Sequence, residues 1–143
     1  MRSRETLDAP EALVLTMVLV AAADGGMSDR EIGVMAGQVQ TLPVFRDFTR
    51  EQLSSVTDAA VRLLKEDDGL KHAARLMRSA LEPRLRETAY ALACEVVAAN
   101  HVTKERTLDM LAFVRNELHL DPLIAVAIER GVRARHQRVE AGQ

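Results

Sequence analysis

Apolar positions along the chain recur at helical spacing, and polar punctuation between the recurrences marks where each helix starts. Residues 12–23 are apolar but for one threonine, the composition of a helix buried on every side rather than along one stripe. Asp8 ahead of Pro10 supplies an N-cap and a first-turn proline, whose missing amide would have gone unbonded there anyway. Ser28-Asp-Arg-Glu31 reads as a capping box: the serine takes an amide of the first turn and the glutamate reaches back to the serine's own amide. The helix it opens is expected to bury Ile32, Met35, Ala36 and Val39 and to stop before Pro43, because the residue ahead of proline is pushed out of the helical region.

Thr49-Arg-Glu-Gln52 is a second capping box, followed by an inner face of Leu53, Val56, Ala60, Leu63 and Leu64. Asp67-Asp-Gly69 interrupts the pattern, and a short helix follows through Leu76, Met77 and Ala80. Pro83 opens a long apolar helix reaching Ala99. Thr103 is expected to cap the next, with Leu108, Leu111, Ala112 and Val114 turned inward. Asp121-Pro122 begins a last helix running to about Gln137. The prediction is an all-α bundle of about seven helices. Residues 8–138 form one domain, with flexible ends at 1–7 and 139–143.

Beneath this order lies an internal repeat. Residues 15–42 resemble 90–117: an apolar helix ends in alanines, a short polar loop follows, and a hydroxyl residue (Ser28, Thr103) precedes an amphipathic helix. Without a gap Asn100 faces Gly25, and asparagine is the commonest substitute for glycine in the left-handed backbone that ends helices. With a one-residue gap Asn100 faces Asp24, and the spacing alone leaves both registers open. Two pseudo-repeated hairpins with nearly all-apolar first helices are expected to pack face to face, which makes their connecting loops neighbours.

Composition narrows the functional classes. With 143 residues, 48% of them hydrophobic, the chain is long enough for one substantial core. Nineteen Lys and Arg against 21 Asp and Glu give a net charge of -2, which argues against a dedicated nucleic-acid binder. The single cysteine, Cys94, allows no internal disulfide and points to the cytoplasm; its apolar neighbours read as core. The apolar run at 12–23 is followed by Asp24-Gly-Gly and a resumed helical pattern, unlike a signal peptide, and falls short of the ~20 residues needed to span a bilayer.

Candidate chemistry is sparse. Residues 23–31 hold the carboxylates Asp24, Asp29 and Glu31 around two glycines, an arrangement that can offer oxygen ligands to Ca²⁺ or Mg²⁺. Its spacing is not that of an EF-hand, and carboxylates in a helix first turn are equally explained by the helix dipole. Glu95 is the one charge in the apolar stretch Tyr90-Ala-Leu-Ala-Cys-Glu-Val-Val. A carboxylate so placed needs an arginine partner, a route to solvent, or a cation shared with Asn100 and the Asp24 loop. His72, His101, His119 and His136 form no zinc spacing; His101 lies in the second loop. Arg130, Arg133 and Arg135 make the last helix locally basic, which suits a helix C-terminus and is weak evidence for a surface that binds anionic lipid, RNA or an acidic partner.

The sequence Ala22-Ala-Asp-Gly25, then Met27-Ser28 and Glu31, echoed near Ala98-Ala-Asn-His-Val-Thr103, resembles the tellurite-resistance TerB family. So do Leu42-Pro-Val-Phe-Arg46, Leu85-Arg-Glu-Thr-Ala-Tyr-Ala-Leu-Ala93 and Ala127-Ile-Glu-Arg-Gly131. The resemblance implies a paired-hairpin all-helical fold in cytoplasmic bacterial proteins of tellurite and stress responses, with related domains fused to J-domain co-chaperones. It also implies divalent metal held by acidic residues of the two loops. The matching positions are Asp24 and Glu31 in the first copy and Asn100 and Glu105 in the second. The second loop departs from the family pattern, having asparagine for aspartate and no glycine, and fewer ligand charges weaken a hard-cation site.

The leading expectation is therefore a non-enzymatic module acting through protein partners, with a divalent cation (Ca²⁺ or Mg²⁺) between its loops at Asp24, Glu31, Glu95, Asn100 and Glu105. The alternative is an interaction domain whose loops are only caps. A carboxylate-pair enzyme using Glu95 and Asp24 is a third, lesser reading. No nucleic acid and no transmembrane segment are expected, while the alanine- and methionine-rich helices are compatible with a homodimer.

Overall fold

A computed structural model of the chain describes residues 6–100 and 103–139. Most of the ends expected to be flexible, and His101, lie outside these residues. Among the described residues there are seven α-helices, no strand, and one 3-10 turn. In chain order the helices are α1 (Ala9–Ala21), α2 (Asp29–Thr41), α3 (Arg50–Leu64), α4 (Gly69–Ala80), α5 (Pro83–Ala98), α6 (Glu105–Glu117) and α7 (Pro122–Arg135), with the 3-10 turn Pro43–Phe45 between α2 and α3. No helix among the described residues is long and apolar enough to cross a membrane.

α1 is the axis of the molecule. Every residue from position 12 to 21 is buried, and α2, α3, α4, α5 and α6 all pack against it. Its one buried hydroxyl, Thr16, is satisfied by donating to the Ala12 carbonyl at 2.8 Å, so the apolar environment strands no polar group. α5 lies along α1 and presents its own apolar residues, Ala89, Leu92, Ala93, Val96 and Val97, to the same core. This central pair explains why α1 and the second half of α5, from Ala89 on, are almost wholly apolar in the sequence.

Four helix starts follow the predicted capping residues, three of them as full capping boxes. Asp8 caps α1 and forms a full capping box with Glu11. Ser28 with Glu31 and Thr49 with Gln52 do the same for α2 and α3. Asp121 accepts from the Leu123 amide at the start of α7. At the α3–α4 break Asp68 takes a left-handed conformation (φ 56°). Gly69 follows because a Cβ there would lie 2.2 Å from the Leu63 carbonyl oxygen.

Three local expectations are corrected. Thr103 does not cap α6: Lys104 holds the N-cap position without a side-chain cap bond, since an ammonium has no acceptor to offer a backbone amide, and its charge pairs with Asp24 instead. Ile32 is not core but 48% exposed, whereas Glu31 beside it is only 3% exposed. The inner stripe of α2 is therefore Glu31, Met35 and Val39, rotated from the apolar stripe because Glu31 is drawn inward by polar partners. Leu108 is 51% exposed, and Leu111 and Ala112 are only half-buried, so α6 fills the core less than its pattern predicts; Val114 is fully buried.

Candidate functional site

The α1–α2 and α5–α6 loops meet. Glu31 sits in the first turn of α2 with its carboxylate between them. Its Oε1 accepts from the Ser28 backbone amide at 2.7 Å, closing the capping box, and its Oε2 accepts from Asn100 Nδ2 at 3.0 Å. Burial makes this consistent, because a carboxylate removed from water must have its oxygens bonded. A second tie runs beside it, from Lys104 Nζ to Asp24 Oδ2 at 3.3 Å. Gly25 adopts φ +111°, a conformation that lets the first loop turn back sharply at Asp24.

These groups line a cavity of about 350 Å³ together with Gly26, Arg30 and Thr107. Two carboxylates, Asp24 and Glu31, face two cationic side chains, Arg30 and Lys104, so the fixed charges balance. The starts of α2 and α6, Asp29 and Glu105, are separated by the same number of positions as Asp24 and Asn100. By cap position the residue standing where Glu31 stands is then Thr107, buried and lining the cavity, and not Glu105. Of the expected ligand set, the fold brings Asp24, Glu31 and Asn100 together. Glu105 opens α6 on its exposed side, outside the cavity lining.

Glu95 belongs to another place. From α5 it faces the end of α7, where Arg135 Nε donates to Oε2 at 2.8 Å and His136 Nε2 meets Oε1 at 2.5 Å. The carboxylate is only 11% exposed, and the arginine partner weighed for it in the sequence is the one it finds. Arg135 is thereby occupied, while Arg130 and Arg133 remain on the surface. Asp24 and Glu95 keep separate partners, so the carboxylate pair of the enzyme reading is not assembled. Among the described residues no three His, Cys, Asp or Glu side chains gather as a metal ligand set.

A further polar network joins α5, α6 and α7. Tyr90 donates to Glu129 Oε2 at 2.5 Å, and Arg115 Nη1 reaches the same oxygen at 3.3 Å. Burial and the bond to Glu129 push the Tyr90 phenol far above its ordinary range, so it stays a neutral donor. Cys94, one turn along α5, is pushed up to about 12, chiefly by burial, which leaves it a protonated core thiol. Lys104, Thr107 and this network were not singled out in the sequence. For Tyr90 there was a signal: it is the only tyrosine, in an apolar helix where its hydroxyl must find a partner. Comparison with protein-family models, with curated proteins and with solved structures finds no match for this chain.

Proposed function

We propose that this chain is a non-enzymatic TerB-like module that acts through protein partners, and that its two loops are clasped by the chain's own charges instead of a resident divalent cation. The observation that carries the second part is the pairing of Asp24 with Lys104 beside the doubly bonded Glu31. A hard cation needs ligand charge in excess. Here Lys104 and Arg30 already balance the two carboxylates that line the cavity, and Thr107 and Asn100 supply only neutral oxygens where a second acidic pair would be needed. The donor set does not fit Ca²⁺ or Mg²⁺, and Lys104 stands in for the ion.

Calorimetric titration of the wild-type chain with Ca²⁺ and Mg²⁺ tests this. The expected result is no saturable heat at millimolar metal and an unchanged melting temperature. The double variant Asn100→Asp, Lys104→Ala, which removes the internal cation and adds a carboxylate, is expected to gain a metal-dependent rise in melting temperature. Saturable binding to the wild-type chain, lost in Asp24→Ala, would restore the cation reading. The tellurite or stress setting rests on the family resemblance, and growth of a deletion strain in tellurite reads it: unchanged growth would remove tellurite from the function.

A further inference from the structure

The apolar residues of α6 that fail to enter the core form one wall of a groove. Leu108, Leu111 and Ala112 line it from α6, Cys94, Val97 and Ala98 from α5, and Val132 from α7, enclosing about 500 Å³. It exists because α6 and α7 each pack on α5 and scarcely on one another, which leaves a gap between them over α5. The Tyr90–Glu129–Arg115 network also borders it.

Charge at the groove is paired with one exception. Arg115 is matched by Glu129, and His136 by Glu95. Arg133 also lines the groove and is exposed, yet it has no ion-pair partner among the described residues. A trough with an apolar α6 wall, a polar rim of Tyr90, Arg115, Glu129, His136 and Gln137, and one surplus guanidinium is complementary to an amphiphile with a single anionic head. Its volume is that of a small-molecule site. The α6 wall from Leu108 to Arg115 spans about 10 Å of helix, roughly two turns, which suits a medium acyl chain better than a docked helix.

We propose that this groove binds a free medium-chain fatty carboxylate, its chain against Leu108, Leu111 and Val97 and its carboxylate on Arg133. The site is separate from the loop clasp, so failure of either idea leaves the other standing.

The chain contains no tryptophan, so Leu108→Trp places a single fluorophore on the groove wall at a side chain exposed enough to accept it. Octanoate, decanoate and decanol are titrated below their micellar range. A saturable blue shift is expected, with decanoate at least fivefold tighter than octanoate, since each buried methylene contributes about three- to fourfold. Adding Arg133→Gln is expected to weaken decanoate about tenfold and leave decanol unchanged. Calorimetry on the tryptophan-free chain serves as the unlabelled check, with Ala112→Phe filling the trough and Leu111→Glu repelling the carboxylate; whichever folds is expected to abolish decanoate binding. No saturable shift, indifference to Arg133→Gln, or a response only to micelles or vesicles would overturn the proposal. So would sedimentation showing that the groove is covered by a second copy of the chain.

Discussion

Replacing Glu31 by alanine isolates what the loop clasp contributes. The substitution removes the reciprocal half of the Ser28 capping box, worth about 1 kcal/mol, and the charged acceptor of the Asn100 amide, worth about 1.5 kcal/mol. It also removes a negative charge from the start of α2, worth about 0.5 kcal/mol at the helix dipole. Against these stands the recovered cost of keeping a carboxylate 3% exposed, which brings the net loss to about 2 kcal/mol. Urea denaturation in EDTA reads it directly, as a midpoint lowered by about 1 M at constant slope. A loss below about 0.5 kcal/mol would refute the reasoning, as would a loss seen only when Ca²⁺ is present. A double-mutant cycle with Asn100→Ala sharpens the test, because residues joined by a direct bond are expected to couple by about 1 kcal/mol. Glu31→Gln should be milder, since Gln52 closes the Thr49 box with the same amide oxygen at 2.8 Å.

Other substitutions probe the packing. Gly69→Ala drives a Cβ into the Leu63 carbonyl oxygen and is expected to cost about 1–3 kcal/mol, whereas Gly33→Ala in α2 meets nothing within 4 Å and should gain about 0.5–1 kcal/mol; thermal melts of the pair decide it. Ile32→Lys should fall within about 0.5 kcal/mol of wild type while Met35→Ala costs about 2–5 kcal/mol, an ordering that a core Ile32 would reverse. Cys94 predicts a pH dependence: its thiol titrates near 9 when unfolded and near 12 when folded, so only the unfolded chain gains a thiolate between those values. Stability is therefore fully present below pH 9 and lost as pH rises towards 12; Cys94→Ala should flatten part of that decline in chemical denaturation, and an identical pH profile would contradict the burial argument.

Helix order was readable because capping residues and prolines act locally: Asp8, Ser28, Thr49 and Asp121 each bond an amide within three positions. What periodicity conveys is a direction around a helix, not a depth. Ile32 and Glu31 are adjacent, and the one that turns inward is the carboxylate bonded both to the Ser28 amide and to the distant Asn100. Leu108, Leu111 and Ala112 form a proper stripe, yet α7 packs on α5 and scarcely on α6, which leaves them lining a trough. Thr103 was the better cap by residue type, but Lys104 took the position while its charge paired across the fold with Asp24. In each instance a long-range polar contact or the packing partner of a neighbouring helix outweighed the local pattern.

The encasement of α1 bears on synthesis. Its major companion, α5, lies some sixty residues further along the chain, which a ribosome needs about 3–12 s to add. Throughout that interval a sticky apolar segment waits without its neighbour, a natural client for a holding chaperone. Substitutions that slow α5 formation should therefore depress the yield of folded protein in cells more than they lower its equilibrium stability.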